Sequence, residues 1–259
     1  MAVASTEPAQ RRNGVQLIAR AASVLRALAD HRAGLSLSEL AEAVELPKST
    51  VHRIVQALEV EDLVTSASAG KVRVGPGLAR LGAASRGALR DELHPTLRQL
   101  SQELGETVDL AILEGDNLRF IDQVAAPQRL RAVSAVGATF PLHCTANGKA
   151  LLARLPRDEA AALLPSRLRA FTPMTITSRK RLWEELDEVA ATGIAYDREE
   201  HTEGISAVGA VVGDAFGTMA AVSVPMPTQR FAGREAEVAS RLREVCAEAT
   251  RALGGDPAY

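Results

Sequence analysis

The sequence predicts an α+β protein: a winged helix-turn-helix, a linker helix, and a larger domain with an antiparallel sheet flanked by helices. Three observations support this prediction. Two short amphipathic helical patterns meet at Pro47, and two short basic strands follow over residues 63–74. A hairpin pattern occupies residues 107–124, and two apolar strand patterns occupy residues 204–224. At 259 residues, the chain can give each domain its own core.

Residues 35–58 predict two helices separated by a tight break. Ser36 and Glu39 have the spacing of a capping box at the start of the first helix. Pro47 marks the start of the second helix, because proline suits the first helical turn. Residues 17–28 form another amphipathic pattern upstream, closed by residues 30–34. In each helix of the pair, apolar residues recur at i, i+3, i+4 and i+7: Leu37, Leu40, Ala41, Val44 and Val51, Ile54, Val55, Leu58.

The other face of the second helix carries hydroxyls, cations and an amide, which suit base edges and phosphates in a major groove. The ordinary solvated face of a helical hairpin explains the same residues. In the strand pair that follows, Val72 and Val74 are expected to point inward and Lys71 and Arg73 outward, so that the cations would reach phosphates or the minor groove. The predicted DNA-binding residues are Lys48, Ser49, Thr50, His52, Arg53, Gln56, Lys71 and Arg73.

The net charge of −2 is distributed unevenly. Residues 1–90 hold 12 Lys and Arg against 8 Asp and Glu, whereas residues 91–259 hold 18 against 24. A basic first part beside an acidic remainder is typical of nucleic-acid contact confined to the first part.

The cysteine and histidine spacing argues against a metal centre. Cys144 and Cys246 form no CxxC pair, and the five histidines lack HxxH or HExxH spacing. We therefore expect no disulfide framework, no metal site and no cofactor. No apolar run approaches the ~18 residues of a membrane span, and residues 1–13 lack the apolar core of a signal peptide. A cytoplasmic protein is expected.

The chain divides into four predicted segments: a disordered tail (1–13), the winged helix-turn-helix (14–75), the linker helix (76–92) and the second domain (93–259). The linker helix is rich in Ala, Gly and Leu on one side, which suits packing against a second copy; a simple spacer helix is the alternative. We favour a homodimer, because such DNA-reading modules usually bind two half-sites.

The second domain begins with a predicted new helix from Leu93, followed by strands over 107–113 and 118–124. A third strand is predicted from Arg129 to Val136. The last predicted helix, from Glu235 to Leu253, turns four residues inward: Val238, Leu242, Val245 and Cys246.

The stretch PLHCTANGKA, residues 141–150, contains the chemically most suggestive residues. Thr145 can cap a helix whose free N–H groups would hold a carboxylate; alternatively it is only a cap, and Gly148 allows close packing. Cys144 could be a nucleophile assisted by His143 or Asp197, or a buried structural thiol. The acidic stretch around Asp197 is either a solvated edge or the wall of a pocket.

From about Val15 to Leu253 the chain resembles the IclR family of bacterial transcriptional regulators. Three motifs carry the resemblance in the family's order: LPKSTVHR (46–53), PLHCTANGKA (141–150) and AYDREEHTEG (195–204). The resemblance implies a GAF-like effector domain with a closed pocket, and dimers that often pair into tetramers. It also implies effectors that are mostly small organic acids or aromatic compounds.

The resemblance also implies a set of pocket residues. Where the family commonly has a cysteine this chain has Ala207, and where it has a second serine this chain has Pro225. We therefore predict an effector larger or more apolar than a two- or three-carbon acid. The implied effector-binding residues are Gly137, Ala138, Leu142, His143, Cys144, Asp197, Ala207 and Ser223.

The function predicted from these observations is sequence-specific regulation of transcription, controlled by a small organic-acid or aromatic effector. The predicted partners are operator DNA, the effector, and further copies of the chain as a dimer or a dimer of dimers. We expect no catalytic activity. The alternatives are an architectural DNA-binding protein without an effector and a Cys-dependent hydrolase.

Overall fold

The computed structural model describes residues 7–29, 31, 33–67, 70–215, 217 and 219–257. The chain forms two compact units, Met1–Ala88 and Leu89–Tyr259.

The first unit is a helix-turn-helix followed by a β-hairpin. Its three strands pair antiparallel in the order β1-β3-β2. The elements are α1 (Glu7–Ala29), β1 (Leu35–Ser36), α2 (Leu37–Ala43), α3 (Lys48–Val60), β2 (Val64–Ala67), β3 (Lys71–Val74) and the beginning of α4 (Pro76–Leu104).

The predicted helix pair is confirmed. The Ser36 side chain accepts a hydrogen bond from the Glu39 N–H, and the Glu39 carboxylate accepts one from the Ser36 N–H, which completes the capping box. The break lies at Glu45, whose φ of 53° is left-handed, and Pro47 precedes α3. The apolar faces of the helices and strands bury one small core, made of Val24, Leu28, Leu35, Leu40, Val51, Ile54, Val55, Leu58, Val64 and Val72.

Three predictions for this unit need correction or fall outside the description. Residues 7–13 were expected to belong to a disordered tail, but α1 already begins at Glu7; residues 1–6 lie outside the described residues. The short strand β1 was not predicted, since two residues carry no periodicity. Val74 was expected to face inward with Val72, but Val74 is exposed at the end of its strand.

The helix α4 is one continuous element, where a linker helix ending at 92 and a new helix from Leu93 were expected. Pro95 lies within it and removes one backbone N–H. The helix continues through the proline because its following turns are fixed by burial, with four leucines in the core of the second unit: Leu93, Leu97, Leu100 and Leu104.

The second unit contains an antiparallel sheet flanked by helices, as predicted. The strand order is β6-β5-β4-β9-β8-β7, with every neighbouring pair antiparallel. After α4, the elements are β4 (Val108–Glu114), β5 (Asn117–Val124), β6 (Thr139–Pro141), α5 (Ala146–Arg154), α6 (Arg157–Leu163), α7 (Arg179–Thr192), β7 (Ala195–Arg198), β8 (Ile205–Gly213), β9 (Met219–Pro227), α8 (Thr228–Phe231) and α9 (Glu235–Ala252).

The two faces of this sheet are buried by different helices. Residues such as Leu110, Val208 and Val222 pack with the end of α4 and with α9, whose predicted inward residues are all buried. Ala111 and Val211 face the other way and pack with α5 and α7. Side chains alternate between the two faces along each strand. Because helices cover both faces, nearly every side chain of the central strands is apolar.

The predicted third strand, from Arg129 to Val136, is wrong. This segment is irregular, and the next strand is β6. Its apolar residues alternate with arginines, but Leu130, Val133 and Val136 are exposed. Side chains hold the segment instead of a strand partner: the Thr107 hydroxyl donates to the Ala132 carbonyl at 2.9 Å, and the Ser134 hydroxyl donates to Asp109.

Candidate functional site

The exposed side of α3 carries the residues predicted to read DNA. Ser49, His52 and Gln56 are exposed at i, i+3 and i+7, so they form one stripe along the helix. Arg53 is exposed beside this stripe, and Thr50 is half-buried. The geometry brings these five residues to one side of a helix whose opposite side is the core.

Two of the three remaining predicted cations, Lys48 and Arg73, have hydrogen-bond partners within the first unit. The Lys48 Nζ donates to the Ser38 hydroxyl at 2.8 Å, which links the starts of α3 and α2. The Arg73 Nε donates to the Ala33 carbonyl at 3.2 Å. Its side chain crosses Gly34 so closely that a Cβ there would stand 2.7 Å from the Arg73 Cγ. Lys71 is half-buried. One hydrogen-bond donor of Arg73 is therefore occupied by the loop before β1.

A groove of about 600 Å³ runs between α1 and α3. Thr50 and Arg53 border it on α3, and Leu17 and Ile18 border it on α1, with exposed fractions of 55% and 71%. Two large aliphatic side chains at this exposure form an apolar surface of the kind that often contacts another protein.

The second unit contains a cavity of about 390 Å³, within the usual range for small-molecule sites. Of the predicted effector residues, Asp197, Ala207 and Ser223 line it. Gly137, Ala138, Leu142, His143 and Cys144 are not among its lining residues. The lining consists of Asp109, Phe120, Arg131, Ala132, Val133, Ser134, Phe140, Thr145, Ala146, Asn147, Asp197, His201, Thr202, Ile205, Ala207, Ser223 and Pro225.

The floor of the cavity is one end of the sheet face that carries α5. Asp109 on β4 lies opposite Ser223 on β9. Ala207 on β8 lies between Pro225 on β9 and Asp197 on β7. Because Ala207 and Ser223 are small, they leave space above this part of the sheet.

Aromatic rings form one wall. The rings of Phe140 and His201 stack with centroids 4.1 Å apart, and Phe120 meets Phe140 edge-on at 5.0 Å. Phe171 stacks on His201 from behind at 5.3 Å. The whole chain has only five phenylalanines, and three of them belong to this cluster. Phe120 and Phe140 line the cavity together with His201, whereas Phe171 does not.

The start of α5 borders the cavity through Ala146 and Asn147. The Thr145 hydroxyl accepts from the Gly148 N–H at 3.2 Å and donates to the Pro141 carbonyl at 2.9 Å, so it is a true cap. A Cβ on Gly148 would stand 2.3 Å from the Leu142 carbonyl oxygen. The capping and packing roles considered for this motif are therefore both present, next to the cavity.

Two carboxyl groups face the cavity from opposite sides. Asp109 accepts hydrogen bonds from the Gln123 Nε2, at 2.7 Å, and from Ser134. Asp197 accepts one from the Glu200 N–H at 2.7 Å. Burial raises the pKa of Asp109 to about 6 and that of Asp197 to about 7. Asp197 therefore faces a pocket, which decides between the two interpretations of the acidic stretch.

A buried ion cluster lies behind this wall. The Lys149 side chain is wholly buried and contacts the carboxylates of Glu185 and Glu200, the latter at 2.6 Å. Burial raises the pKa of Glu200 above its ordinary value. Because the Glu200 N–H also holds Asp197, Lys149 supports the backbone that positions a cavity residue.

The five predicted residues outside the lining have structural surroundings. Leu142 is buried in the core between the sheet and helices α5 and α7. The His143 ring bonds to the Arg169 carbonyl at 3.0 Å, and burial lowers its pKa. Burial, together with Asp197 and Glu200, raises the pKa of the Cys144 thiol. Gly137 adopts a left-handed turn with φ 89°, and Ala138 lies beside it, before β6.

Sequence reasoning missed most of the lining. Asp109 left a signal, because it is the single acid in an otherwise apolar strand pattern. Phe140 and His201 left a weaker one, because aromatic residues are rare in this chain. Residues 131–134 gave no sequence signal. They line the cavity from an irregular segment whose sequence pattern predicted a strand.

The part of the chain that the structure describes contains neither a metal-binding cluster nor a membrane-spanning helix. No group of three or more His, Cys, Asp or Glu residues there is placed to hold a metal ion. None of its helices combines the length and apolarity that crossing a membrane requires.

Comparison with known proteins covers both units. The family model described as IclR helix-turn-helix domain matches residues 17–68, and the model described as Bacterial transcriptional regulator IclR C-terminal matches residues 81–251.

Related proteins match this chain over nearly its whole length. The chain is 54% identical over 241 residues to the HTH-type transcriptional regulator Rv1719 of Mycobacterium tuberculosis, covering 93% of each. It is 37% identical over 251 residues to the HTH-type transcriptional regulator TtgV of Pseudomonas putida, covering 96% of each. The crystal structure of the Thermotoga maritima IclR superposes with a TM-score of 0.62 at 29% identity, over 93% of this chain and 99% of that one. The chain belongs to the IclR family of bacterial transcriptional regulators.

Proposed function

We propose that residues 14–75 read operator DNA through α3 and that residues 93–259 bind the effector and join copies of the chain. The exposed stripe of Ser49, His52 and Gln56, with Arg53 beside it, supports the first part. These side chains suit base edges, while Lys48, Thr50, Lys71 and Arg73 lie around them and suit phosphates. Exposed Leu17 and Ile18 on α1 give the first unit an apolar surface of its own, which supports dimer formation in addition to the contacts proposed for residues 93–259.

The effector binds in the 390 Å³ cavity, with a flat ring against Phe140 and His201. The single observation that carries this proposal is a sizeable cavity lined by stacked aromatic rings on one side and polar groups on the other. Such a mixture of an apolar wall and a few polar groups is typical of small-molecule sites. The small residues Ala207 and Ser223 leave room for more than a two- or three-carbon acid.

The chain acts without catalysis in this proposal. A nucleophilic cysteine needs a lowered thiol pKa and access to its substrate. Cys144 has the opposite properties, since it is fully buried and its pKa is raised. The relatives reported above are named as transcriptional regulators, which also argues against the hydrolase alternative.

Effector binding changes operator affinity because the ligand has different affinities for two states of the protein. The helix α4 runs without interruption from residues of the first unit into residues of the second, so it is the covalent connection available for this coupling.

A gel-shift assay on the DNA upstream of the gene tests the proposal. We expect specific binding that weakens as salt increases and that changes with one pool from a library of organic and aromatic acids, alcohols and amines. Arg53→Ala should weaken operator binding, whereas Lys180→Ala, which removes an exposed cation of the second unit, should not. Equal binding to every DNA, unmoved by every pool, would support an architectural protein and contradict the proposal.

A further inference from the structure

The buried charged side chains of the cavity lining are carboxyl groups, which accept hydrogen bonds when ionised. Among the described lining residues, Asp109 and Asp197 are carboxyl groups, whereas Arg131 is the cation. Both carboxyl groups are nearly fully buried. Arg131 is exposed, and its Nη1 donates to the Gln128 carbonyl at 3.0 Å. The buried part of the cavity thus presents the two carboxyl groups, and the exposed edge presents the cation.

A third buried polar group strengthens this pattern. Asn147 lines the cavity with 2% of its surface exposed, and its side-chain Oδ1 has no hydrogen-bond donor among the described residues. Its Nδ2 donates to the Ala221 carbonyl at 3.5 Å. Leaving a buried acceptor without a donor costs free energy. A ligand that donates a hydrogen bond to the Asn147 Oδ1 therefore binds more tightly than one that does not.

The two carboxyl groups stand on opposite sides of the cavity floor. Asp109 is on β4 and Asp197 on β7, and β9 and β8 lie between them in the sheet. At roughly 4.8 Å per strand spacing, their backbones are on the order of 14 Å apart. A single-ring ligand therefore meets one of them at a time, and the contribution of each can be measured separately.

We propose that the ligand of this cavity is an aromatic molecule whose polar group donates hydrogen bonds, a hydroxyl or an amino group, and is not a carboxylate. The ring lies against Phe140 and His201, and the donor meets Asp109 or Asp197. This inference rests on the proposed effector-binding function and specifies the chemistry of the ligand.

The reason is the chemistry of an ionised carboxylate, which accepts hydrogen bonds and donates none. A ligand carboxylate at Asp109 or Asp197 would meet a like charge in a buried site, or would require a proton to stay on the protein side chain. Burial raises the pKa of these groups to about 6 and about 7, so the proton is bound below those values and is largely absent at about pH 8. A hydroxyl or amino group finds an acceptor at every pH.

Calorimetric titration of the full chain at about pH 8 tests the proposal with three probes that share one ring. Benzyl alcohol and benzylamine carry a donor on a single carbon, and benzoate carries the carboxylate there. We expect the better donor probe to bind at least about tenfold more tightly than benzoate, because one hydrogen bond to a charged acceptor has that magnitude. Tighter binding of benzylamine indicates a cationic ligand, and tighter binding of benzyl alcohol a neutral one.

Isosteric variants assign the effect to the carboxylates. Asp109→Asn and Asp197→Asn keep the shape and can still accept from Gln123 and from the Glu200 N–H. At least one of them should reduce the preference over benzoate to about threefold or less. The matched control is Asp122→Asn, which changes a buried aspartate that contacts His94 outside the cavity lining and should leave the preference unchanged. Thermal unfolding of each variant confirms that it is folded.

Equal or tighter binding of benzoate, no binding of either donor probe, or an unchanged preference in both folded asparagine variants overturns the proposal. Each of these results is obtained without DNA. The regulator function could still be supported by the gel-shift assay, so failure of one is distinguishable from failure of the other.

Discussion

Lys149 shows how one residue connects the stability of the second unit to its cavity. Its buried ammonium group lies between Glu185 on α7 and Glu200 in the segment that follows β7. Thr172 and Thr175 add to this connection, since their hydroxyls donate at 2.6 Å to the carbonyls of Glu199 and Glu200, respectively. The segment next to Asp197 is therefore held by charge and by hydrogen bonds.

The first prediction concerns Lys149→Met, which keeps the length of the side chain but removes its charge. Glu200 would remain buried without a cation, so we expect the free energy of unfolding to fall by about 3 kcal/mol. Urea denaturation measures this loss. Lys180→Met, at an exposed pair with Glu184, should cost far less; equal losses in the two variants would show that burial of the Lys149 pair does not matter.

The second prediction concerns the pH dependence contributed by Asp109. Its folded pKa is about 6, and an unfolded aspartate has a pKa of about 3.9. The folded state therefore binds the proton more tightly, and stability from this group is lost as pH rises from about 4 to about 6. Over this pH range, we expect the free energy of unfolding of Asp109→Asn to fall by roughly 2 kcal/mol less than that of the wild type. Urea denaturation on both sides of the window measures it, and an identical decline in wild type and variant would contradict the assignment.

At the scale of elements, the cavity depends on how closely α5 approaches β8. Gly209 on β8 allows this approach, since a Cβ there would stand 2.7 Å from the Ala146 carbonyl carbon. Ala146 and Asn147, at the start of α5, are also cavity residues. The position of this helix therefore fixes one side of the cavity.

The third prediction is that Gly209→Ala forces α5 away from the sheet and costs about 1–3 kcal/mol of stability. The matched control is Gly87→Ala in α4, where a Cβ would meet nothing within 4 Å; there the change should be neutral or slightly stabilising. Thermal unfolding compares the two. A Gly209→Ala protein as stable as the Gly87→Ala protein would mean that the close approach is not required.

The elements also show why the sequence predicted the fold better than the cavity. The helix pair, the hairpin over 107–124 and the apolar strands β8 and β9 follow local periodicity, so all were predictable. The irregular segment 129–136 was not predictable, because two side-chain hydrogen bonds hold it in place. The Thr107 hydroxyl donates to the Ala132 carbonyl, and the Ser134 hydroxyl donates to the Asp109 carboxylate. Cavity residues such as Asp109 and Phe140 come together only through strand pairing between distant segments, which no local pattern specifies.

Considered as a whole molecule, the chain combines a surface suited to DNA with a cavity suited to a small ligand, in separate compact units. Family membership supplies the regulatory role, and the structure supplies the groups through which we propose that it works. We propose that occupancy of this cavity controls operator binding.

The most direct test of that claim fills the cavity in the intact protein. Ala207→Phe places a ring on the floor between Pro225 and Asp197, and Ser223→Leu is a second filling variant in case the first fails to fold. Operator affinity is measured by fluorescence anisotropy, with and without the effector pool that alters wild-type binding. We predict unchanged affinity without effector and loss of the response to effector. A folded variant that keeps the full response would contradict the account.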